Sequence, residues 1–530
     1  MEIFKMINLK VILLTGLRIF CDLIADLITF VYDKKRGIDH LSPITDKIIL
    51  ESVTKLADKI RKGELKAVDV MEAFCRRIEL CEPKVNSVTE NRFEAAMKEA
   101  QELDHKLQQE RVSGDHILMD LPLIGIPFAA KDCMAVKGMR LTAGFVPRKD
   151  AIQDEDCPSI ANLRKAGAIP VVMTNVPELA FWYDSSNMLH GRTRNPHDLT
   201  RIPGGSSGGI GAIVSYAGAP FGLGSDIAGS IRLPSHFCGI FGHMTTPRVC
   251  EAKGNWPPFS EECMRMLSQG PMCKYSCDLI PILKCLLGTG VSMFPKLDDT
   301  VDLQNLKITC IESDGGSFTT PVHPKIKEAI RKIPELFSTN HGTKAQLIPY
   351  LPHMDEAFDI YMHKINELPN ILHSVKMANF EGEKNPYIEF VKKMFGASTH
   401  TLPMITVSMI EWMLASSKGK KSELTELFEQ FKAKVLSLLE DNGVVILPAF
   451  PEPAINHYTT ILKVKNAAYC SLFSLLECPI TVAPIGMTDD GLPFGVQIVA
   501  ARFNDHLSIA VARELETFFG GWKAPSLICV

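Results

Sequence analysis

Beyond the first fifty positions, the apolar residues of the chain recur with helical spacing. Two sets lie at intervals of three and four residues: Val53, Leu56, Ala57 and Ile60, then Val68, Met71, Phe74, Cys75 and Ile78. This spacing predicts two amphipathic helices, and Gly63 predicts the end of the first. Residues 93–110 predict a further, strongly charged helix.

Short apolar runs between the helical segments predict the strands of a sheet. The runs are 121–130, 168–173, 217–223, 306–311, 443–449 and 494–500. Several contain no polar residue, which is expected of strands covered on both faces. The alternation of strands and helices predicts an α/β protein with helices on both sides of a mixed sheet. No low-complexity segment interrupts the chain after residue 50, so we expect one large domain over 49–530.

Residues 7–33 are rich in Ile, Leu, Val and Phe, but charges interrupt the apolar run. Arg18, Asp22 and Asp26 are four residues apart and form one polar stripe on a helix, joined by Thr15 and Thr29. The rest of the helix surface is apolar and has to be buried. An interfacial membrane helix, or a helix packed on a partner subunit, suits this stripe best.

Two other interpretations fit residues 7–33 less well. A transmembrane helix is long enough, but charges near its middle are expensive. A cleaved signal peptide is disfavoured because acidic residues break the apolar core and no small-x-small cleavage site follows. We therefore expect a membrane-associated helix over 1–36, a linker over 37–48 and the main domain over 49–530.

The basic residues Lys34, Lys35 and Arg36 follow the apolar segment and favour a cytoplasmic location of the main domain. We expect the membrane to be the endoplasmic reticulum or a lipid droplet.

Composition excludes several classes of function. The 530 residues carry a net charge of −4 without a long run of one sign, so no nucleic-acid surface is expected. The 15 cysteines are scattered, with no CxxC pair and no zinc-like spacing to histidines. We interpret them as mostly buried free thiols, which indicates a reducing compartment.

The most unusual stretch is Gly204-Gly205-Ser206-Ser207-Gly208-Gly209, whose glycines disfavour regular structure. It lacks the Gly-Lys-Ser/Thr ending of a phosphate loop. Its Gly-x-Ser-x-Gly match to a nucleophile elbow lacks the apolar strand that should precede it, because 195–203 is turn-like. A Gly/Ser loop of this kind brings backbone N–H groups close to an anionic atom.

A second serine, Ser230, follows the small-residue turn 226–229 beside several free backbone N–H groups. A nucleophilic serine needs a base, and a distant histidine stays possible. Lys131 ends the apolar run 123–130 and offers an alternative, because desolvation lowers a lysine pKa and can make the amine a base. The simpler interpretation of Lys131 alone is a strand-end lysine that reaches solvent.

Taken together, these segments resemble the amidase-signature family from about residue 50 onward. The matching pieces are 125–132, 174–178, 185–187, 191–193, 195–196, 204–209, 222–234, 270–273 and 491–499. Within the family the chain is most similar to the fatty-acid amide hydrolases, in particular those of type 2. That likeness lies in 182–187, 314–318, 503–506, 519–522 and the apolar amino terminus.

The resemblance implies a large twisted mixed sheet and a serine hydrolase that cleaves fatty-acid amides without a metal or organic cofactor. Lys131 would be the base, Ser206 the bridging serine, held by a cis peptide after Gly205, and Ser230 the nucleophile. The N–H groups of Ile227, Ala228, Gly229 and Ser230 would form the oxyanion hole. The partners expected are a lipid amide and a membrane, and a homodimer is left open.

The chain departs from the family pattern at three places. Ala228 replaces a glycine, and if the site needs a positive φ its methyl costs roughly 1–2 kcal/mol. His243-Met244-Thr245-Thr246 replaces a usual Lys-Pro, and Ala501-Arg502 a usual Gly-Pro. Two alternatives therefore stay open: an amidase or esterase of a smaller substrate, and a weakened pseudo-amidase used for binding. Candidate residues for an acyl channel lie in 340–440, where Met and Phe are frequent.

Overall fold

A computed structural model describes residues 2–33, 40–114, 117–367, 373–415 and 421–530. Its centre is an 11-stranded sheet in the order β1-β3-β2-β6-β8-β7-β12-β13-β11-β9-β10, and β4 pairs with β5 apart from it. The strands are β1 (Val88–Asn91), β2 (Pro127–Lys131), β3 (Ile169–Thr174), β4 (Ser186–Asn187), β5 (Gly191–Arg192), β6 (Phe221–Asp226), β7 (Phe241–Met244), β8 (Ser268–Cys273), β9 (Lys307–Ile311), β10 (Lys344–Ile348), β11 (Gly443–Pro448), β12 (Ile480–Met487) and β13 (Pro493–Ala500).

Helices connect and cover these strands. They are α1 (Glu2–Asp33), α2 (Val53–Lys62), α3 (Ala67–Val85), α4 (Phe93–Ser113), α5 (Pro158–Lys165), α6 (Gly208–Ser215), α7 (Arg232–Cys238), α8 (Leu279–Leu287), α9 (Pro324–His341), α10 (Ala357–Glu367), α11 (His373–Met377), α12 (Pro386–Met394), α13 (Leu402–Ala415), α14 (Lys421–Leu439), α15 (Ala468–Ser474) and α16 (Asp505–Phe519).

The sheet is mixed and buried along its central strands. Every residue of β2, β3, β6, β8, β11 and β13 is buried, so both faces of these strands are covered. β2 runs parallel to β3 and β6, whereas β6, β8, β7, β12 and β13 pair antiparallel in turn. The expected α/β class is confirmed.

The sheet consists of two halves that are also consecutive in sequence. One half uses strands from 88–273 and the other strands from 307–500. They meet where β7 pairs with β12, at Gly242–Met244 and Ile480–Val482. We call this pairing the seam.

The helical predictions agree with the observed elements, and Gly63 ends α2 with a φ of 75°. Two predicted strands began too early, since 121–126 and 217–220 are turns or irregular. Positive φ angles at Gly125 and Ala217 are the local reason, because such angles do not continue a strand. A buried turn made of apolar residues has the same sequence pattern as a buried strand, so the pattern alone does not distinguish them.

α1 lies with its polar stripe toward the rest of the chain. Arg18, paired with Asp22 at 3.0 Å, shares a cleft with Phe318, Lys463 and Lys465. Further along, Asp26 and Thr29 share a second cleft with residues that include Arg201, His323 and Glu452, and Ala25 is buried. The apolar residues on the other side are exposed: Leu17, Ile19, Phe20, Leu23, Leu27 and Val31.

The segment that follows α1 pairs with the last residues of the chain. Ile44 bridges to Ile528, and the Cys529 N–H donates to the Ile44 carbonyl at 2.7 Å. The basic residues 34–36 and the first part of the expected linker, 37–39, lie outside the described residues.

Among the described residues, one helical stretch, Ser276–Met293, would be long and apolar enough to cross a membrane. It contains α8, whose buried residues belong to the main hydrophobic core. Helices at the centre of a soluble fold have the same composition, so this stretch is weak support for a membrane span.

Candidate active site

Lys131 ends β2 and is completely buried between β3 and β6. Its Nζ donates to Ser206 Oγ at 2.8 Å, to Ser225 Oγ at 2.9 Å and to the Ser225 carbonyl at 3.1 Å. Burial lowers the pKa of Lys131, while Cys133 and Asp226 act in the opposite direction. The side chain therefore does not reach solvent, and its acceptors are neutral oxygens.

Ser206 is held in a loop in which nearby positions, 205 and 209 among them, leave no room for a side chain. The Gly205–Ser206 peptide bond is cis, as the resemblance implies. A Cβ on Gly205 would lie 2.5 Å from the Trp182 carbonyl oxygen, and one on Gly209 would lie 2.5 Å from the Asn175 nitrogen. Real Cβ atoms do not approach so closely, which explains the run of glycines around the two serines.

Ser230 lies in the turn between β6 and α7, where Gly229 has a φ of 116°. The turn is fixed by the Asp226 carboxylate, which accepts from the N–H groups of Gly229 at 2.7 Å and Ile231 at 2.9 Å. Arg232 pairs with the same carboxylate at 3.0 Å, and all of its atoms are buried. Burial acts to raise the pKa of Asp226, but Arg232 and the amides outweigh it and hold that pKa below its ordinary value.

The four amides predicted for an oxyanion hole are in different states. The Gly229 N–H is bound to Asp226, whereas no described residue accepts from those of Ile227, Ala228 or Ser230. Ala228 is not among the residues with a positive φ, so the backbone strain that its methyl would cause does not arise. Gly229 is the position that needs a glycine, since a Cβ there would lie 2.7 Å from Cys470 Cβ.

Ser206, Ser225 and Ser230 line one cavity, together with Cys133 and Ile227. The apolar part of its wall comes from two segments: Leu179, Ala180 and Phe181, and Trp256, Pro257, Phe259 and Leu267. The region 340–440, expected to supply an acyl channel, contributes His373 and Lys376 to this wall. Its buried Met377 and Met404 instead pack with Phe145 and Leu179 in a small hydrophobic cluster.

Thus Lys131 and Ser206 are in hydrogen-bonding contact, and Ser206 and Ser230 share a cavity. Sequence reasoning missed Ser225, the Asp226–Arg232 pair, His373 and Lys376. Asp226 and Arg232 flank Ser230 in the printed sequence, and a charged pair around a small-residue turn was a usable signal. No comparable signal marks His373 or Lys376, because their position depends on the folding of 340–440. Within the described part of the chain, no group of three or more His, Cys, Asp or Glu side chains could hold a metal ion.

The amidase family model matches residues 69–508 of the chain. The chain belongs to the amidase family. The resemblance inferred from the motifs is thereby confirmed, and the protein is an amide hydrolase.

Relatives of this amidase include fatty-acid amide hydrolases of several organisms. Fatty-acid amide hydrolase 2-A of Danio rerio is 37% identical, over 94% of this chain and 94% of that protein. Fatty-acid amide hydrolase 2 of Homo sapiens is also 37% identical, over 91% and 92%. A solved structure of a fatty acid amide hydrolase superposes with a TM-score of 0.70 at 24% identity, over 95% of this chain and 91% of that one, which supports the fold. The expected likeness to the type 2 enzymes is confirmed.

Proposed function

We propose that this amidase hydrolyses long-chain fatty-acid amides, both primary amides and N-acylethanolamines, through Ser230, Ser206 and Lys131. One observation carries the catalytic part: a completely buried lysine donates to Ser206, and no carboxylate pairs with it among the described residues. A desolvated amine without a counterion is easily neutral, and a neutral amine can accept a proton.

The proposed reaction proceeds by two proton transfers and a covalent intermediate. Neutral Lys131 takes the proton of Ser206 as Ser206 takes that of Ser230, whose Oγ attacks the amide carbonyl carbon. The proton then returns through Ser206 to the leaving nitrogen, and the C–N bond breaks. Water hydrolyses the acyl-enzyme by the same relay, which releases the acid and restores Ser230.

The developing oxyanion needs N–H donors that are not already in use. The amides of Ile227, Ala228 and Ser230 meet this requirement in the described geometry, while the Gly229 amide fixes the turn through Asp226. Removal of one such donor typically costs about 3–4 kcal/mol of transition-state stabilisation. Ala228 retains its N–H, so its methyl does not remove a donor.

A fatty acyl substrate is supported by the names of the relatives and by the aromatic and aliphatic wall of the cavity. An apolar wall stabilises a bound chain by up to about 0.8 kcal/mol for each buried methylene. The rate should therefore increase with acyl length until the chain fills the cavity.

The membrane part of the proposal is supported by the orientation of α1. Its charged stripe faces the body and its apolar side faces outward, which is the arrangement of an interfacial helix and not of a span. A second exposed apolar surface lies on and after α12, at Tyr387, Ile388, Val391, Met394 and Phe395. Lipid amides partition into membranes, so a membrane-associated 1–36 segment ahead of a cytoplasmic domain over 49–530 would lie close to its substrate. The membrane that it binds would be that of the endoplasmic reticulum or of a lipid droplet.

The test is fluorophosphonate labelling of the purified full-length chain and of Ser230→Ala, with oleamide and acetamide as competitors. Ser235→Ala is the matched control, since Ser235 lies in the adjacent helix and its buried Oγ has no hydrogen-bond partner among the described residues. We expect labelling to be lost only in Ser230→Ala and suppressed by oleamide alone. Suppression by acetamide alone would indicate a smaller substrate. If the wild type is not labelled, the chain would instead be a binding protein.

A further inference from the structure

Away from the serines and Asn255, the wall of the active-site cavity has a polar corner formed by His373 and Lys376 on α11. They are only 2% and 3% exposed, and both line the cavity that contains Ser206 and Ser230. The proposed hydrolysis of a hydrocarbon amide uses neither side chain. Buried polar groups normally have partners, so two such groups in an apolar wall need an explanation.

His373 is fixed by a buried carboxylate. Its Nδ1 lies 2.5 Å from Glu411 Oε1, and its backbone N–H donates to Glu411 Oε2 at 2.9 Å. The ring packs against Phe181 with centroids 4.2 Å apart. Nδ1 donates to Glu411 and burial lowers the pKa of His373, so the other ring nitrogen, Nε2, is an acceptor; it is buried and has no hydrogen-bond partner in the described part of the chain.

Lys376 is near the same carboxylate but does not bind it. Each Glu411 oxygen already accepts from His373, and no described residue accepts a hydrogen bond from the Lys376 ammonium. Burial lowers the pKa of Lys376, while Glu411 and Cys263 act in the opposite direction. Unlike Lys131, which has neutral acceptors, Lys376 has the Glu411 carboxylate beside it, and this favours the ammonium form. The donors of that ammonium are unused, and an anion in the cavity would satisfy them.

We propose that the Lys376 ammonium binds a carboxylate carried by the amide substrate, with His373 holding Glu411 in place beside it. The preferred substrates would then be fatty-acid amides with an anionic group, of which N-acyl amino acids are the simplest class. The inference deepens the proposed function and rests on it, because it assigns a subsite of the same cavity.

The carboxylate can come from either end of the substrate. It can belong to the leaving amine, as in N-oleoylglycine, or to the far end of the acyl chain, as in the monoamide of octadecanedioic acid. Each compound has a neutral counterpart of similar shape, N-oleoylglycinamide and stearamide respectively. Steady-state hydrolysis of these pairs by the full-length wild type tests the preference directly.

We expect kcat/KM for one carboxylate substrate to exceed that of its neutral counterpart by about 10- to 100-fold, as a hydrogen bond to a charged group implies. The substrate pair that shows the preference identifies which end of the substrate, the leaving amine or the far end of the acyl chain, lies at Lys376. Equal rates within both pairs, or faster cleavage of the neutral members, would overturn the proposal.

Lys376→Met removes the ammonium and keeps a side chain of similar length. We expect it to reduce the carboxylate-to-neutral ratio of kcat/KM by about 10- to 100-fold, and Lys376→Arg to restore part of that ratio. Lys392→Met is the control, because Lys392 is a half-exposed lysine of α12 that does not line the cavity. An unchanged ratio in Lys376→Met would contradict the proposal. Should that variant fail to fold, the wild-type ratio still decides.

The two proposals fail in different ways. Loss of the proposed function would leave oleamide uncleaved and Ser230 unlabelled. Loss of the carboxylate site alone would leave oleamide cleaved and Ser230 labelled, without a preference in either substrate pair.

Discussion

At the scale of single residues, the site depends on how each polar atom is satisfied. Lys131 has neutral acceptors and Asp226 has a guanidinium and amides, whereas the amides of Ile227, Ala228 and Ser230 have no partner among the described residues. Motif spacing in the sequence was sufficient to propose Lys131, Ser206 and Ser230. It could not reveal that the Gly229 N–H belongs to Asp226, because that bond depends on the geometry of the turn.

We predict that Lys131→Met reduces kcat/KM for oleamide by about 10²- to 10⁴-fold, the usual contribution of a general base. The active form of the lysine is the neutral one, so the wild-type rate should increase as pH rises through the lowered pKa of Lys131. That limb of the pH–rate profile should be absent from the variant.

Lys274→Met is the matched control for this profile. Lys274 is also completely buried, burial lowers its pKa to about 7, and it donates to the Ile49 carbonyl outside the cavity. The rise of rate with pH should persist in that variant. A profile that persists in Lys131→Met would show that another group is the base.

At the scale of elements, local signals predicted α2, α3 and α4 from helical spacing and six strands from apolar runs. These strands are β2, β3, β6, β9, β11 and β13. The same signals missed β8, which contains Gln269, Gly270 and Pro271, and β12, whose pairing is irregular near Pro484. These strands are stabilised by their neighbours in the sheet and not by their own composition. The stripe on α1 was visible in the sequence, but the side of the helix that meets the body was not.

We predict that the double variant Phe20→Glu, Leu23→Glu weakens binding of the full-length protein to phospholipid vesicles by at least about 10-fold. The two side chains are 60% and 62% exposed, and burial of each in lipid is worth about 1.5–3 kcal/mol. Vesicle flotation measures the effect.

Val112→Glu is the control for flotation. Val112 is 86% exposed at the end of α4, so this variant also replaces an exposed apolar side chain by a carboxylate, but outside α1. Unchanged flotation of the α1 variant would exclude this face as the membrane contact. A simultaneous change from dimer to monomer would instead indicate that a second copy of the chain covers it.

At the scale of the whole molecule, the two halves of the sheet meet at the seam, and one unusual residue lies there. His243 replaces part of the usual Lys-Pro pair, yet both of its nitrogens are used: Nδ1 is 2.9 Å from Thr481 Oγ1 and Nε2 is 3.0 Å from Asp505 Oδ1. Asp505 also accepts from the Thr246 N–H at 2.9 Å. The replacement therefore links β7, β12 and α16, a result that the sequence comparison with the family pattern did not indicate.

We predict that His243→Ala lowers the free energy of unfolding by about 2–4 kcal/mol, because it leaves a cavity and removes a partner from a buried carboxylate. Urea denaturation measures this loss. The rate per fluorophosphonate-labelled site should stay within about two-fold of wild type.

His341→Ala is the comparison for the seam variant. His341 also pairs with a carboxylate of α16, Glu514 at 2.8 Å, but both side chains are partly exposed. Its loss should cost at most about 1 kcal/mol. Equal losses in the free energy of unfolding for the two variants would show that the seam has no special role in stability.

The same two halves contribute different groups to the cavity: the first supplies the two proposed catalytic serines and the apolar wall, and the second supplies the polar corner. Lys131, Ser206 and Ser230 all come from the first half, whereas His373, Lys376 and Glu411 come from helices of the second. Mutations in the second half can thus alter which amide is accepted without displacing the residues proposed to cleave it. In evolutionary terms, the fold lets substrate range diverge while the reaction chemistry stays constant.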